Sequence, residues 1–283
     1  MLNKVNLMVA SAIAVATVGL GGAPALALSV TPTDDPMALF NRLLGGASGL
    51  SNITVDITGT TTGGGIKSGF GLFSDDTTFG LGSGVVLSTG AATGVLGPNN
   101  ASNSTTGFGR TSQLNISFDV DNTVESLFFQ YVFGSEEFFE YAQTAYNDSF
   151  ELLLNGVNLA LLPNDDPVTI NNLATPAGPI DPTLLLANPL GSPATQLDAY
   201  TRVLTLTGVL NRNARNTLTI RISDVSDDGL DFEYDSAVFI RGGTIATVPS
   251  TGQIPTPALL PGLIGMGMAA SRKRAKAVAA AEG

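Results

Sequence analysis

The chain has 283 residues, 43% hydrophobic and 7% aromatic, which suffices for one good core, and it contains no Cys, His or Trp. That excludes disulfides, thiolate and imidazole metal sites and histidine-activated nucleophiles, so any bound metal is held by oxygen. Thirteen basic against 24 acidic residues give a net charge of −11; setting aside Lys4, Arg272, Lys273, Arg274, Lys276 and Glu282 near the two ends leaves eight against 23, a body charge of −15 that repels nucleic acid and attracts cations.

Residues 1–27 read as a secretory leader. Lys4 supplies the charged start, Leu7 to Leu20 the apolar stretch, and Ala25-Leu26-Ala27 a small-x-small cleavage site with Ala25 and Ala27 at its key positions, so that the mature chain begins at Leu28. Asp34-Asp35-Pro36 ahead of Met37, Phe40, Leu43 and Leu44 predicts a capped helix of about ten residues, stopped by Gly45-Gly46. The period then changes to two. Ile53, Val55 and Ile57 alternate with polar residues, as do Leu114, Ile116, Phe118 and Val120, and then Leu127, Phe129, Tyr131 and Phe133. Further strands are expected at Gly84–Ser88, Ser149–Leu154, Val157–Leu162, Val168–Asn172, Arg202–Thr207, Thr217–Ile222 and Ala237–Arg241. Thr60 to Gly109 is rich in Gly, Ser, Thr and Asn and is expected to form long loops around one short strand; Thr175 to Pro193, with five prolines, reads as an insertion. Many short strands, turn-forming residues between them and almost no helix predict an all-β chain, an antiparallel jelly-roll-like β-sandwich over residues 28–243 with one short N-terminal helix.

Residues 244–253 form a small-residue linker to a three-part end at 254–283: a Pro255-Thr256-Pro257-Ala258 box, an apolar run over 258–270, and a basic cluster over 272–276. The run of 13 is short beside the ~20 residues that span a bilayer, and the bases after it would hold this end on the cytoplasmic side. The arrangement resembles the PEP-CTERM class of bacterial sorting tails in its Pro-Thr-Pro-Ala variant. The resemblance implies a C-terminal apolar sorting helix inserted transiently in the inner membrane and removed by a membrane-embedded, exosortase-like protease. The protein would then stay at the cell surface or be released, among the extracellular polysaccharides and biofilm of the bacteria that carry such tails. An uncleaved membrane anchor is the alternative.

The body carries LGSGVVLSTG (Leu81 to Gly90), YVFGSEEFFEYAQTAYNDSFELLLNG (Tyr131 to Gly156), VTINNL (Val168 to Leu173), YTRVLTLTGVL (Tyr200 to Leu210) and ISDVSDDGLDFEYDSAVFI (Ile222 to Ile240). In this order the segments resemble the choice-of-anchor L domain, a family of bacterial exported domains joined to various surface-sorting tails. The resemblance implies a surface protein and brings no established enzymatic activity. Phe139 stands where the family usually has proline, and the Asp-rich loop before Asp235 is longer than typical.

Two acidic loops offer hard-cation ligands: Glu136, Glu137, Glu140, Asn147 and Asp148 in one, and Asp224, Asp227, Asp228, Asp231 and Asp235 in the other. If the sandwich brings the loops together, five or more carboxylates crowd one edge, and a cation such as Ca2+ would neutralise them. Asp224-x-Ser226-x-Asp228-Gly229, with Asp235 at its far end, mimics the spacing of a calcium loop between strands. Adjacent Glu136 and Glu137 would face opposite ways in a strand. The same acids could instead solvate loops, or a pair such as Glu137 with Asp148 or Asp228 could serve a carbohydrate hydrolase. The aromatics Phe133, Phe138, Phe139, Tyr141, Tyr146 and Phe150 either seal the sandwich end or offer a sugar-stacking platform. The expectation is an exported, non-enzymatic surface or matrix protein stabilised by calcium and binding glycans; the alternatives are a hydrolase and a purely structural envelope protein.

Overall fold

The computed structural model describes residues 28–45, 49–59, 68–100, 111–193, 195–225 and 235–245. The leader with Ala25 and Ala27, the linker from residue 246, the Pro255-Thr256-Pro257-Ala258 box, the apolar and basic tail, and Asp227, Asp228 and Asp231 lie outside them. In chain order the elements are β1 (Ser29–Pro32), α1 (Pro36–Leu43), β2 (Leu50–Gly59), β3 (Phe70–Asp76), β4 (Gly82–Ser88), β5 (Thr111–Val120), β6 (Ser126–Ser135), β7 (Ser149–Leu154), β8 (Val157–Asn158), β9 (Val168–Thr169), α2 (Ile170–Leu173), β10 (Ala174–Thr175), β11 (Gly178–Pro179), β12 (Leu185–Ala187), β13 (Ala199–Thr201), β14 (Leu204–Val209), β15 (Ala214–Ser223) and β16 (Ser236–Arg241).

The strands build two antiparallel sheets, one ordered β1-β3-β4-β16-β6-β13-β12 with β14 also on β6, the other β2-β5-β15-β7-β8 with β9 on β7; β10 and β11 pair alone. The alternation read in the sequence is what lets the sheets face each other. Leu114, Ile116 and Phe118 of β5 and Leu218 and Ile220 of β15 turn inward against Phe129, Tyr131 and Phe133 of β6 in a single buried cluster. Tyr131 and Phe150 meet across the gap with ring centroids 4.8 Å apart. Each fully buried side chain of this size contributes about 1.5–3 kcal/mol from lost apolar exposure.

The centre of the first sheet is buried on both faces. Phe73, Val86, Val132, Ala237 and Phe239 form a second cluster on its outer side, capped by Phe79, Leu81 and Leu197, and Phe73 meets Phe239 edge-on at 5.5 Å. This is why β4 and β16 carry uninterrupted apolar runs (Val85-Val86-Leu87; Ala237 to Ile240), where a half-solvated strand would alternate. Leu28 joins the same outer cluster.

Helix α1 forms where its cap predicts. The Asp35 carboxylate accepts from Met37 N at 2.9 Å, Pro36 opens the first turn, and Leu39, Phe40 and Leu43 are buried. It spans 8 residues, shorter than the spacing suggests.

Several expected boundaries are corrected. The Gly-rich stretch after Thr60 holds two seven-residue strands, β3 and β4, in place of one short one. Its small residues reflect close packing, since a Cβ on Gly71 would press on Val30 at 2.8 Å. The expected strand Val157–Leu162 shrinks to β8, whose hairpin turns through Asn155 and Gly156, both at positive φ. Val168–Asn172 gives the two-residue β9 and then the turn of helix α2, started when Thr169 Oγ1 accepts from Asn172 N. The proline-rich insertion carries β11 and β12. Among the described residues no helix is long and apolar enough to cross a membrane.

Candidate metal centre

β6 leaves its ladder at Ser135. Its hydroxyl accepts from Glu137 N at 2.9 Å and turns the chain out of the sheet, while Glu136 N still donates to Asp235 O at 3.0 Å. Glu136 therefore stays with the first sheet, and Glu137 swings toward the second. One turn later Tyr141 N donates to Glu137 O at 3.1 Å and fixes the loop. Asp148 precedes β7; its carbonyl accepts from Ile170 N at 3.1 Å and its Oδ1 from Val225 N at 2.8 Å, which ties the first acidic loop to the end of β15.

These constraints bring Glu137, Asp148 and Asp224 together, with one carboxylate oxygen from each lying within 4.8 Å of the others. Glu137 and Asp148 are 0% exposed and Asp224 is half-buried. The two loops thus meet at one end of the sandwich, where β6 and β15 finish and β7 and β16 begin.

Four of the other expected ligands are among the described residues. Glu136, 3% exposed, faces Asp235, whose backbone N donates to Glu136 Oε2 at 3.4 Å. Burial, then the charge of Asp235 and more weakly that of Asp198, pushes the Glu136 carboxyl up to about 8. Glu140 is exposed, and Asn147 Oδ1 is committed to Asn171 N at 2.9 Å, holding α2. Glu136, Glu140 and Asp235 are not in the three-carboxylate group. Of the loop from Asp224 to Asp235, Asp224 joins the three-carboxylate group and Asp235 faces Glu136, while Asp227, Asp228 and Asp231 lie outside the described residues. Glu136 and Glu137 lie beyond the end of β6, so the turn at Ser135, not strand alternation, separates them.

Sequence reasoning missed Asp198. It is half-buried, and burial raises its carboxyl to about 6, with Glu140 adding to the rise and the hydrogen bond from Asn99 opposing it. Asn99 Nδ2 holds its Oδ1 at 3.0 Å, and Asp198 N donates to Ser135 O at 3.0 Å, beside Glu136. No motif marks Asp198; only the pairing of β13 to the end of β6 brings it to this edge.

Three ionised carboxylates this close, two of them out of water, repel one another strongly, and a hard cation converts that repulsion into attraction. Calcium takes oxygen ligands of this kind in flexible geometry, and three carboxylates can supply about half or more of its six to eight oxygens. Glu137 and Asp148, one of the pairs considered for carbohydrate hydrolysis, are both completely buried. The aromatics near these acids in sequence mostly belong to the core. Phe133, Phe138 and Phe150 are fully buried, Phe133 and Phe138 pack edge-on at 5.9 Å, and the half-buried Tyr141 and Tyr146 pack on each other at 5.2 Å. Phe139 has φ +77°, a left-handed conformation that a proline ring, fixed near −65°, does not reach.

The family model of the choice-of-anchor L domain matches residues 29–246, which takes in every described strand. No curated protein and no solved structure gives a significant match.

Proposed function

The chain belongs to the choice-of-anchor L domain family, and on that premise we propose that it is an exported, non-enzymatic surface or matrix protein. Its β-sandwich is stabilised by a hard cation, calcium first, and is delivered through its C-terminal sorting tail. Family membership fits a surface-anchored extracellular protein. The leader at 1–27 and the PEP-CTERM-like tail at 254–283 supply the route: export, transient membrane insertion, and processing by an exosortase-like protease. Extracellular polysaccharide is the partner proposed for the delivered body, on the strength of the tail resemblance.

The observation that carries the cation is the group Glu137, Asp148 and Asp224, two of whose members are fully buried. Carboxylates placed there without a counter-charge would weaken the fold they sit in. The burial of Glu137 and Asp148 favours a structural ion over a catalytic one. Terbium, a calcium substitute whose emission is sensitised by nearby tyrosine, tests this reading. Tyr141 and Tyr146 flank the site in sequence, and the chain has no Trp to confuse the signal. Saturable emission, displaced by calcium and lost in Asp148→Asn, is expected; emission unchanged in that variant would remove the site. Delivery is tested separately by the mass of the protein recovered from its native host. A chain starting at Leu28 and lacking the residues after the Pro255-Thr256-Pro257-Ala258 box is expected, and an intact C-terminus would leave an uncleaved anchor.

A further inference from the structure

We propose that Arg241–Ile245 is a clamp that refers any pull on the C-terminal end of the chain to helix α1 and the core, sparing the central strand β16. β16 runs from Ser236, beside the acidic group, to Arg241 at the opposite end of the sheet, a distance of about 17 Å at ~3.3 Å per residue. It is hydrogen-bonded to β4 on one side and β6 on the other. A strand so placed, continued directly into a pulled tail, would be drawn from the middle of the sheet and would take the acidic end with it.

The chain is held before that can happen. Gly242 N donates to Ser83 O at 2.7 Å, Gly243 N to Arg42 O at 3.0 Å, Ile245 N to Leu43 O at 2.8 Å, and Gly45 N returns a bond to Ile245 O at 2.9 Å. Leu44 and Ile245 form a parallel bridge, and Thr244 Oγ1 closes the turn on Arg241 O at 2.8 Å. Ile245 is 1% exposed within the main core, beside the buried Leu39, Phe40 and Leu43 that fix α1. Bonds lying across a parallel pair are loaded together when one chain is pulled along its own direction, whereas an unzipping pull breaks them singly. The clamp therefore yields only when Ile245 leaves the core.

Two glycines make the close approach possible. A Cβ on Gly45 would overlap the carbonyl oxygen of Gly243, and Gly243 itself has φ +73°. Gly45 is thus more than a helix stop; it is the surface on which the exit segment lies.

The absence of Cys allows unique attachment points. Full-length protein carrying Val209→Cys, a position 75% exposed, is pulled in a single-molecule instrument between that thiol and a C-terminal handle. One cooperative rupture with no earlier extension is expected, and Gly45→Ala should add an early release step at lower force. Hydrogen exchange on the unaltered protein covers the case in which that variant fails to fold. The amides of Gly45, Gly243 and Ile245 are expected to exchange as slowly as that of Val238. Exchange of these three like a frayed end, or an early release step in the wild type, would overturn the clamp. Neither readout depends on a bound cation or on cleavage of the tail.

Discussion

Replacing Glu137 with Gln separates a cation site from a merely buried acid, because the two ideas predict opposite responses to calcium. With the carboxylate oxygens 4.8 Å apart or less, each ionised pair would repel by about 3.5 kcal/mol or more at an effective dielectric of ~20, and Glu137 takes part in two of the three pairs. The isosteric amide removes both terms. In chelator near neutral pH, Glu137→Gln should therefore melt roughly ten degrees or more above the wild type, at about 2–4 °C per kcal/mol for a body of this size. Calcium narrows the gap. At about a hundred times its dissociation constant it stabilises the wild type by about 2.7 kcal/mol, roughly 5–10 °C, and leaves the variant nearly unmoved. The assay is calorimetric melting of both proteins in calcium and in chelator. A wild type that melts at the same temperature in both, with the variant lower in each, would refute the reasoning and show a protonated acid bonded into the core.

The Glu136 carboxyl, held up to about 8 from its ordinary 4.5, keeps its proton in the native state where the unfolded chain has lost it. Its contribution is fully present below pH ~4.5 and is lost as pH rises through about 8, a fall of up to roughly 5 kcal/mol; denaturant titrations in chelator at pH 5 and 9 should show it, and Glu136→Gln should flatten the profile. Asp76 is 6% exposed and its carboxylate accepts from Thr78 N, Phe79 N and Leu81 N, each at 2.8 Å. Asp76→Ala strands three donors and should cost about 3 kcal/mol or more by urea unfolding, with calcium response unchanged. Gly156 has φ +82° with open space around its Cβ position, so Gly156→Ala should cost about 1–2 kcal/mol from backbone strain alone.

Strands with one dry face were legible because their period is the sheet's own: β5 reads Leu114, Ile116, Phe118, Val120 and buries those four. β3 was hidden by its composition. Phe-Gly-Leu-Phe-Ser-Asp-Asp does not alternate, since it lies between β1 and β4 with both faces partly covered, and its glycine answers to a neighbour's side chain. β9 and α2 share an apolar segment too short for periodicity to assign, and the side chain of Thr169 decides where the helix begins.

In the acidic site, composition pointed to the two loops, while Glu136 and Glu137 part where Ser135 Oγ accepts from Glu137 N and β6 ends. Which acids converge depended on longer-range facts. Asp148 meets Asp224 because β7 pairs with β15 in a register that sets Ser149 against Ser223. Asp198 arrives by the pairing of β13 with the end of β6, which no local pattern announces.

The most direct test of the central claim is equilibrium dialysis of chelator-stripped protein against radioactive calcium, counting ions per chain for the wild type and for Asp148→Asn. One saturable ion in the wild type, missing from a variant with unchanged circular dichroism, is the predicted result. No retained calcium at millimolar concentration, or equal retention by both proteins, would contradict it.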